Sequence, residues 1–170
     1  MKSACVTIAA LLLTSCGYTV SNHVDALPKK VKTIAIPAFE NLTIRYKLSD
    51  RLAANIAREF ISRTRYQVVA DPSQADAILR GAVTNYLSFP TVFDQATNRA
   101  SAVQMSVFLQ LSLVDRQTGA VLFTRPAWEV RQRYEISTDQ ISYFEESDIG
   151  LERLSRDVAK SVVSAILEAF

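Results

Sequence analysis

The sequence predicts an α+β (α/β) sandwich: two helices packed on one face of a mixed, mainly antiparallel sheet that contains a long hairpin. Three observations predict it. Apolar residues recur at three- and four-residue spacing in two separate stretches, 47–63 and 147–170, which is the period of an amphipathic helix. Between them Val103, Met105, Val107, Leu109, Leu111 and Leu113 alternate with Gln104, Ser106, Gln110 and Ser112, the period of two of a half-buried strand. The order of elements is strand, helix, four strands, helix. Each helix has one stripe to bury and each long strand one face, so the helices cover one side of the sheet and the other side meets a polar medium.

In order along the chain, residues 33–37 form a short β-branched strand that Pro37 ends or pushes to an edge, because proline cannot donate to a ladder. A loop, 38–45, follows. The first helix begins at Ser49 or its neighbours, and Leu48, Leu52, Ile56, Phe60 and Ile61 make its stripe. A second strand, 66–69, is closed by Asp71-Pro72, and a third starts at Ala77 and runs to Ser88. The alternating fourth strand is longer than the usual five or six residues. The turn Asp115-Arg116-Gln117-Thr118-Gly119 leads to a fifth strand, 121–136, and so to a long hairpin. On that last strand Trp128, Val130, Tyr134 and Ile136 share the core face, while Glu129, Arg131, Arg133 and Glu135 share the polar one. The second helix buries Leu151, Leu154, Val158, Val162, Ala165 and Ile166, and Asp148 complements its N-terminal dipole.

The N-terminus has a different character. Lys2 precedes an apolar run, 4–13, that ends in Leu13-Thr14-Ser15-Cys16. Ten residues are too few to span a bilayer, which takes ~20, so the run reads as a cleaved signal. The tetrad resembles the lipobox of bacterial lipoproteins. That resemblance implies cleavage before Cys16, an N-acyl and an S-diacylglycerol group on it, and a stable membrane anchor; Gly17, not being acidic, favours the outer membrane, with the protein on its periplasmic side. The expected organisation is a signal peptide, 1–15, a lipidated tether, 16–31, and a single domain, 32–170.

The expected mature chain of 155 residues is enough for one domain with a substantial core. Cys5 leaves with the signal and Cys16 is acylated, so no thiol remains for disulfides, metals or redox chemistry. Loss of Lys2 leaves 18 basic against 17 acidic residues, interspersed, which gives nucleic-acid binding no support. The single histidine, His23, lies in the tether, and the glycines at 17, 81, 119 and 150 make no phosphate loop. No serine sits in a nucleophile elbow. Glu145, Glu146 and Asp148 precede the expected helix as charge complements rather than as a metal site. An enzyme, a metal and a cofactor are therefore not expected.

The Cys16-Gly17-Tyr18 start, residues 32–38 as first strand, Leu48-Ser49-Asp50-Arg51 opening the first helix and the long hairpin through 104–133 together resemble the lipopolysaccharide-assembly lipoprotein family, LptE, over essentially the whole mature chain. The resemblance implies a plug bound one-to-one inside the large outer-membrane barrel LptD, which assists the barrel's assembly and helps deliver lipopolysaccharide to the outer leaflet. The charged face on the last strand suits a polar lumen and equally suits water. In a meander, the loop 89–102 and the segment 137–146 emerge at one tip. The loop carries Phe89, Pro90, Val92, Phe93 and Arg99, suited to a partner or to an anionic amphiphile whose phosphates pair with guanidinium, and equally to packing on its own domain. Family members place a basic residue in this loop, and Arg99 is the nearest match; the segment 137–147 has no Lys or Arg. Candidate lipopolysaccharide contacts are Arg99, Arg131 and Arg133, and candidate partner contacts are Phe89, Phe93, Glu129 and Glu135.

Two other readings stay open. Residues 33–41 and 75–81 also resemble pieces of curli-exporter and related envelope domains, which implies an oligomeric secretion or transport-accessory lipoprotein with 103–113 as a membrane-inserting segment. A free-standing periplasmic lipid-binding lipoprotein is the third.

Overall fold

A computed structural model of the chain describes residues 27–135 and 140–170. The elements are β1 (Thr33–Ala35), β2 (Glu40–Asn41), α1 (Tyr46–Arg63), β3 (Gln67–Val69), a 3-10 turn (Pro72–Gln74), β4 (Ala77–Phe93), β5 (Ala100–Asp115), β6 (Val121–Glu135) and α2 (Gln140–Leu167). They form one six-stranded mixed sheet in the order β3-β1-β4-β5-β6, with β2 also on β4. The short strands β1, β2 and β3 pair in parallel, and β4, β5 and β6 form an antiparallel meander. The expected sandwich is the one observed.

The core lies between the sheet and both helices. Ile34, Leu79, Val83, Val107, Leu109 and Leu113 from the strands, Leu48, Leu52, Ile56 and Phe60 from α1, and Leu154, Val158, Val162 and Ile166 from α2 are fully covered. Where the two helices meet, the buried Asn55 amide donates to the Ser155 hydroxyl at 2.8 Å; such a satisfied polar pair fixes one helix register within apolar surroundings. Ile61 was expected on the α1 stripe, but it is 61% exposed. Each helical residue turns about 100°, so the position after Phe60 is carried off the buried face.

Two glycines let elements close on the sheet. A Cβ on Gly81 would stand 2.5 Å from the Phe39 ring; the ring of Phe39, itself buried, fills the volume that a β4 side chain would take. A Cβ on Gly150 would stand 3.0 Å from Met105 Cε, where α2 crosses β5. At the β5–β6 turn Gly119 has φ +72°, a conformation that glycine adopts without a Cβ penalty.

Four expectations about element ends are corrected. The third strand does not stop at Ser88 but continues to Phe93, which leaves only 94–99 as the distal turn. Pro90 is tolerated there because β4 beyond Val83 is an edge strand whose ladder is already broken by bulges. The stretch 38–45 holds the short strand β2, whose pairing is continued by Leu42 N–H to Val83 C=O at 2.9 Å. Helix α1 starts at Tyr46, without a side-chain cap, and not at Ser49, which is buried. Asn41 organises the entry instead: its Oδ1 accepts from Thr43 N–H and Oγ1–H, its Nδ2 donates to Arg45 C=O, and the Arg45 guanidinium stacks 5.6 Å from the Tyr86 ring. Helix α2 begins at Gln140 rather than 147, with no acidic residue in its first turn, so Asp148 lies too far along to complement the N-terminal dipole.

Candidate functional site

The meander places its two faces by register. On the face away from the helices four cross-strand rows run from β4 through β5 to β6: Asn85–Phe108–Glu129, Leu87–Ser106–Arg131, Phe89–Gln104–Arg133 and Val92–Ala102–Glu135. Directly opposed side chains stand ~4.5–5.5 Å apart at Cβ, so beyond Asn85 the apolar residues Leu87, Phe89 and Val92 of β4 lie in rows with the charged residues of β6, one strand apart across Phe108, Ser106, Gln104 and Ala102 of β5. Phe89 is 53% exposed and Val92 40%. Contiguous exposed apolar surface rimmed by polar residues is a feature of interaction surfaces.

Two bulges create this arrangement. In β4 the register slips between Val83 and Asn85, so the core parity of Leu79 and Val83 passes to Tyr86, and Leu87 and Phe89 turn outward. In β6 the slip lies between Trp128 and Arg125, opposite Gln110, and Pro126 occupies it; core parity passes from Phe123 to Val130. Without either bulge the charged and apolar files would fall on different faces. Nearer the base the same outer face is polar, a depression of about 380 Å³ lined by Arg80, Gln110, Ser112 and Thr124 among others.

The charged file is partly self-satisfied. Arg131 Nε and Nη2 donate to Glu129 at 2.6 and 2.5 Å. This fork holds the Glu129 carboxyl below its usual range, helped by the Ser106 hydroxyl, and raises the Arg131 pKa. Arg133 is exposed and has no ion pair with any described carboxylate; Glu135 is exposed beside it.

Arg99 stands apart from this patch. It closes the distal turn, where its C=O accepts from Asp94 N–H at 2.8 Å. Asp94 Oδ1 accepts from Thr97 Oγ1–H and N–H and from Ala96 N–H, contacts that lower its pKa, Thr97 foremost. Asn98 takes φ 52°. Five residues of β5 rise, ~17 Å, separate Arg99 from the Arg133 row, so the three arginines do not converge on one group. Phe93, 54% exposed, is the last residue of β4 beside that turn. Phe89 and Phe93 therefore lie on a strand rather than in the expected loop. Cys16 and the segment 136–139 lie outside the described residues.

Leu87 and Phe108 belong to the patch and were not singled out from the sequence. The signal was the polar pair Thr84-Asn85 inside an apolar strand, which breaks the alternation where the bulge falls. Among the described residues no group of His, Cys, Asp and Glu could hold a metal, and no helix is long and apolar enough to cross a membrane.

The comparisons agree with the fold. A lipoprotein structure from Caulobacter crescentus aligns at TM-score 0.53 and 14% identity over 81% of this chain and 88% of that one. An uncharacterized lipoprotein B from Nitrosomonas europaea aligns at 0.53 and 13% over 84% and 89%. A dodecameric PelC variant from Paraburkholderia phytofirmans aligns at 0.50 and 15% over 83% and 92%. At these identities the likeness is one of fold. No curated protein matches. The model of the lipopolysaccharide-assembly family LptE matches residues 31–166, which takes in all six strands, α1 and all but the last residue of α2, and the chain thus belongs to the LptE family.

Proposed function

We propose that this member of the lipopolysaccharide-assembly family is an outer-membrane lipoprotein, acylated at Cys16 and lying on the periplasmic side. It binds one LptD-type barrel, assists its assembly as a lumenal plug and passes lipopolysaccharide toward the outer leaflet. The role is one of binding and positioning, without a catalytic step.

The observation that carries this reading is the alignment of Leu87, Phe89 and Val92 on β4 against Arg131, Arg133 and Glu135 on β6. An amphiphile with phosphates on a sugar headgroup and apolar chains needs cations and apolar surface within one molecule's width. Arg133, which pairs with no described carboxylate, offers a guanidinium fork that pairs with phosphate in two parallel hydrogen bonds. Arg131 is held by Glu129 and contributes after that pair opens. Glu129, Glu135 and Phe93, on the same long meander, present the polar and aromatic contacts that a barrel lumen accepts.

The test is binding of purified lipopolysaccharide to the wild-type protein and to Arg133→Glu, with Lys160→Glu on α2 as a charge-matched control. Arg133→Glu is expected to weaken binding about tenfold, the scale of one charge-assisted contact, with Lys160→Glu near wild type. Equal losses in both would reduce the effect to net charge and remove the patch from the site.

A further inference from the structure

At the opposite end of the sheet, where the chain enters the domain, lies a second pocket that the lipopolysaccharide reading does not use. It has a volume of about 750 Å³ and sits between the entering segment, β1 and β3. Its lining includes the buried side chains of Leu27 and Tyr66, and the Leu27 N–H donates to the Tyr66 hydroxyl at 2.9 Å. Three exposed cations, Lys29, Lys32 and Arg65, also line it, and none of them has an ion pair with a described carboxylate.

One carboxylate, Asp76, also lines the pocket. Its Oδ2 accepts from the Lys32 and Thr33 N–H groups and from the Thr33 hydroxyl, at 2.9 to 3.0 Å. Asp76 is therefore spent on closing the base of the domain, and among the described residues that line the pocket three cations are set against one engaged anion. Lys30, the remaining cation of the segment, pairs with Asp115 at 2.5 Å and pins the segment to the end of β5. The pocket thus combines an apolar floor, a cationic rim and a fixed wall.

Ten residues lie between Cys16 and Leu27, a reach of at most roughly 40 Å. With Cys16 acylated, as proposed above, this end of the molecule is the end held near the lipid surface. We infer that the pocket of Lys29, Lys32 and Arg65 is a binding site for the headgroup of an anionic phospholipid, whose phosphodiester meets the cations and whose glycerol backbone meets Leu27 and Tyr66. Such a contact orients the domain on the membrane that anchors it. It uses none of the residues of the distal patch, and only the nearness of the membrane rests on the Cys16 reading.

The test is native mass spectrometry of the mature, acylated protein in neutral detergent, titrated with dihexanoyl-phosphatidylglycerol, with dihexanoyl-phosphatidylcholine and with inorganic phosphate. One phosphatidylglycerol is expected to bind in preference to the other two, and the Lys29→Gln/Lys32→Gln/Arg65→Gln variant to bind it at least about tenfold more weakly with its melting temperature unchanged. Arg133→Glu is expected to bind it as wild type does, which separates this site from the distal patch; the acyl mass on Cys16 in the same spectra reports the anchor independently. Should the triple variant not fold, Arg65→Glu, an exposed single change, carries the comparison. Equal binding of phosphatidylcholine, free phosphate as tight as phosphatidylglycerol, or undiminished binding by the variants would each overturn the assignment.

Discussion

Replacing Gly81 by alanine puts a methyl group where the Phe39 ring already lies. The new Cβ would meet Cε2, Cδ2 and Cζ of that ring at 2.5, 2.6 and 2.7 Å, so relief requires the whole buried ring to shift. Either the ring leaves the core or β4 and the strand β2 move apart. Overpacking of this kind costs about 1–3 kcal/mol, and complete loss of the buried phenyl would set an upper bound of about 3–5 kcal/mol. Against this, alanine restricts the unfolded chain and recovers about 0.4–1 kcal/mol. The expected net loss is about 0–2.6 kcal/mol, a fall in Tm of up to roughly 10 °C for a domain of this size. The diagnostic is a double-mutant cycle by urea denaturation with Phe39→Ala. In the Phe39→Ala background Gly81→Ala has open space, so it is expected to cost nothing and the coupling to exceed about 1 kcal/mol. Additive effects would refute the close packing of Phe39 on Gly81 and, with it, the account of how the 38–45 segment is held against β4.

Further outcomes follow from the same structure. Asn55→Ala removes the donor to Ser155 at the helix interface and is expected to cost about 1–3 kcal/mol, read as a lower urea midpoint, whereas an unchanged midpoint would mean the pair contributes nothing. Acid should destabilise the fold through Asp76 and Asp94: backbone and side-chain donors hold both carboxyls below their ordinary 3.8, so their contribution is complete above that value and is lost as pH falls through the folded-state values. The urea midpoint is then expected to be level from neutral pH to about 5 and to drop below about 4, with a shallower drop in Asp76→Asn; a midpoint that rises on acidification would contradict the assignment. Arg99→Glu, at the distal turn and apart from the β4–β6 patch, tests a second contact: it should weaken lipopolysaccharide binding without changing fold or partner binding, and an unchanged affinity would confine binding to the patch.

Both helices and the long hairpin were legible in the sequence because their apolar periods are regular over many residues, as in Val103 through Leu113 and Leu151 through Ile166. The family was legible from the order of these elements, and the charged face of β6 from its simple alternation. What escaped was the consequence of irregularity. A two-residue strand such as Glu40–Asn41 carries no period to read, and Pro90 marked an end to β4 only on the assumption that β4 has neighbours on both sides. The bulges mattered most: one extra residue at Thr84 turns Leu87 and Phe89 from the core side to the side of Arg131 and Arg133. Proximity of Arg99 to those arginines was a matter of register, which alternation along one strand does not report. The start of α1 followed Asn41 rather than Ser49, since the donors that Asn41 satisfies lie in the loop before the helix.

The central claim is that this LptE-family chain works as one half of a pair with an outer-membrane barrel. It is tested most directly by purifying the tagged protein from envelopes in gentle detergent and identifying by mass whatever co-elutes in equal amount. A large β-barrel at one-to-one is the expected result. A homo-oligomer would favour a secretion-accessory role, a lone monomer a free lipid carrier, and either would contradict the account.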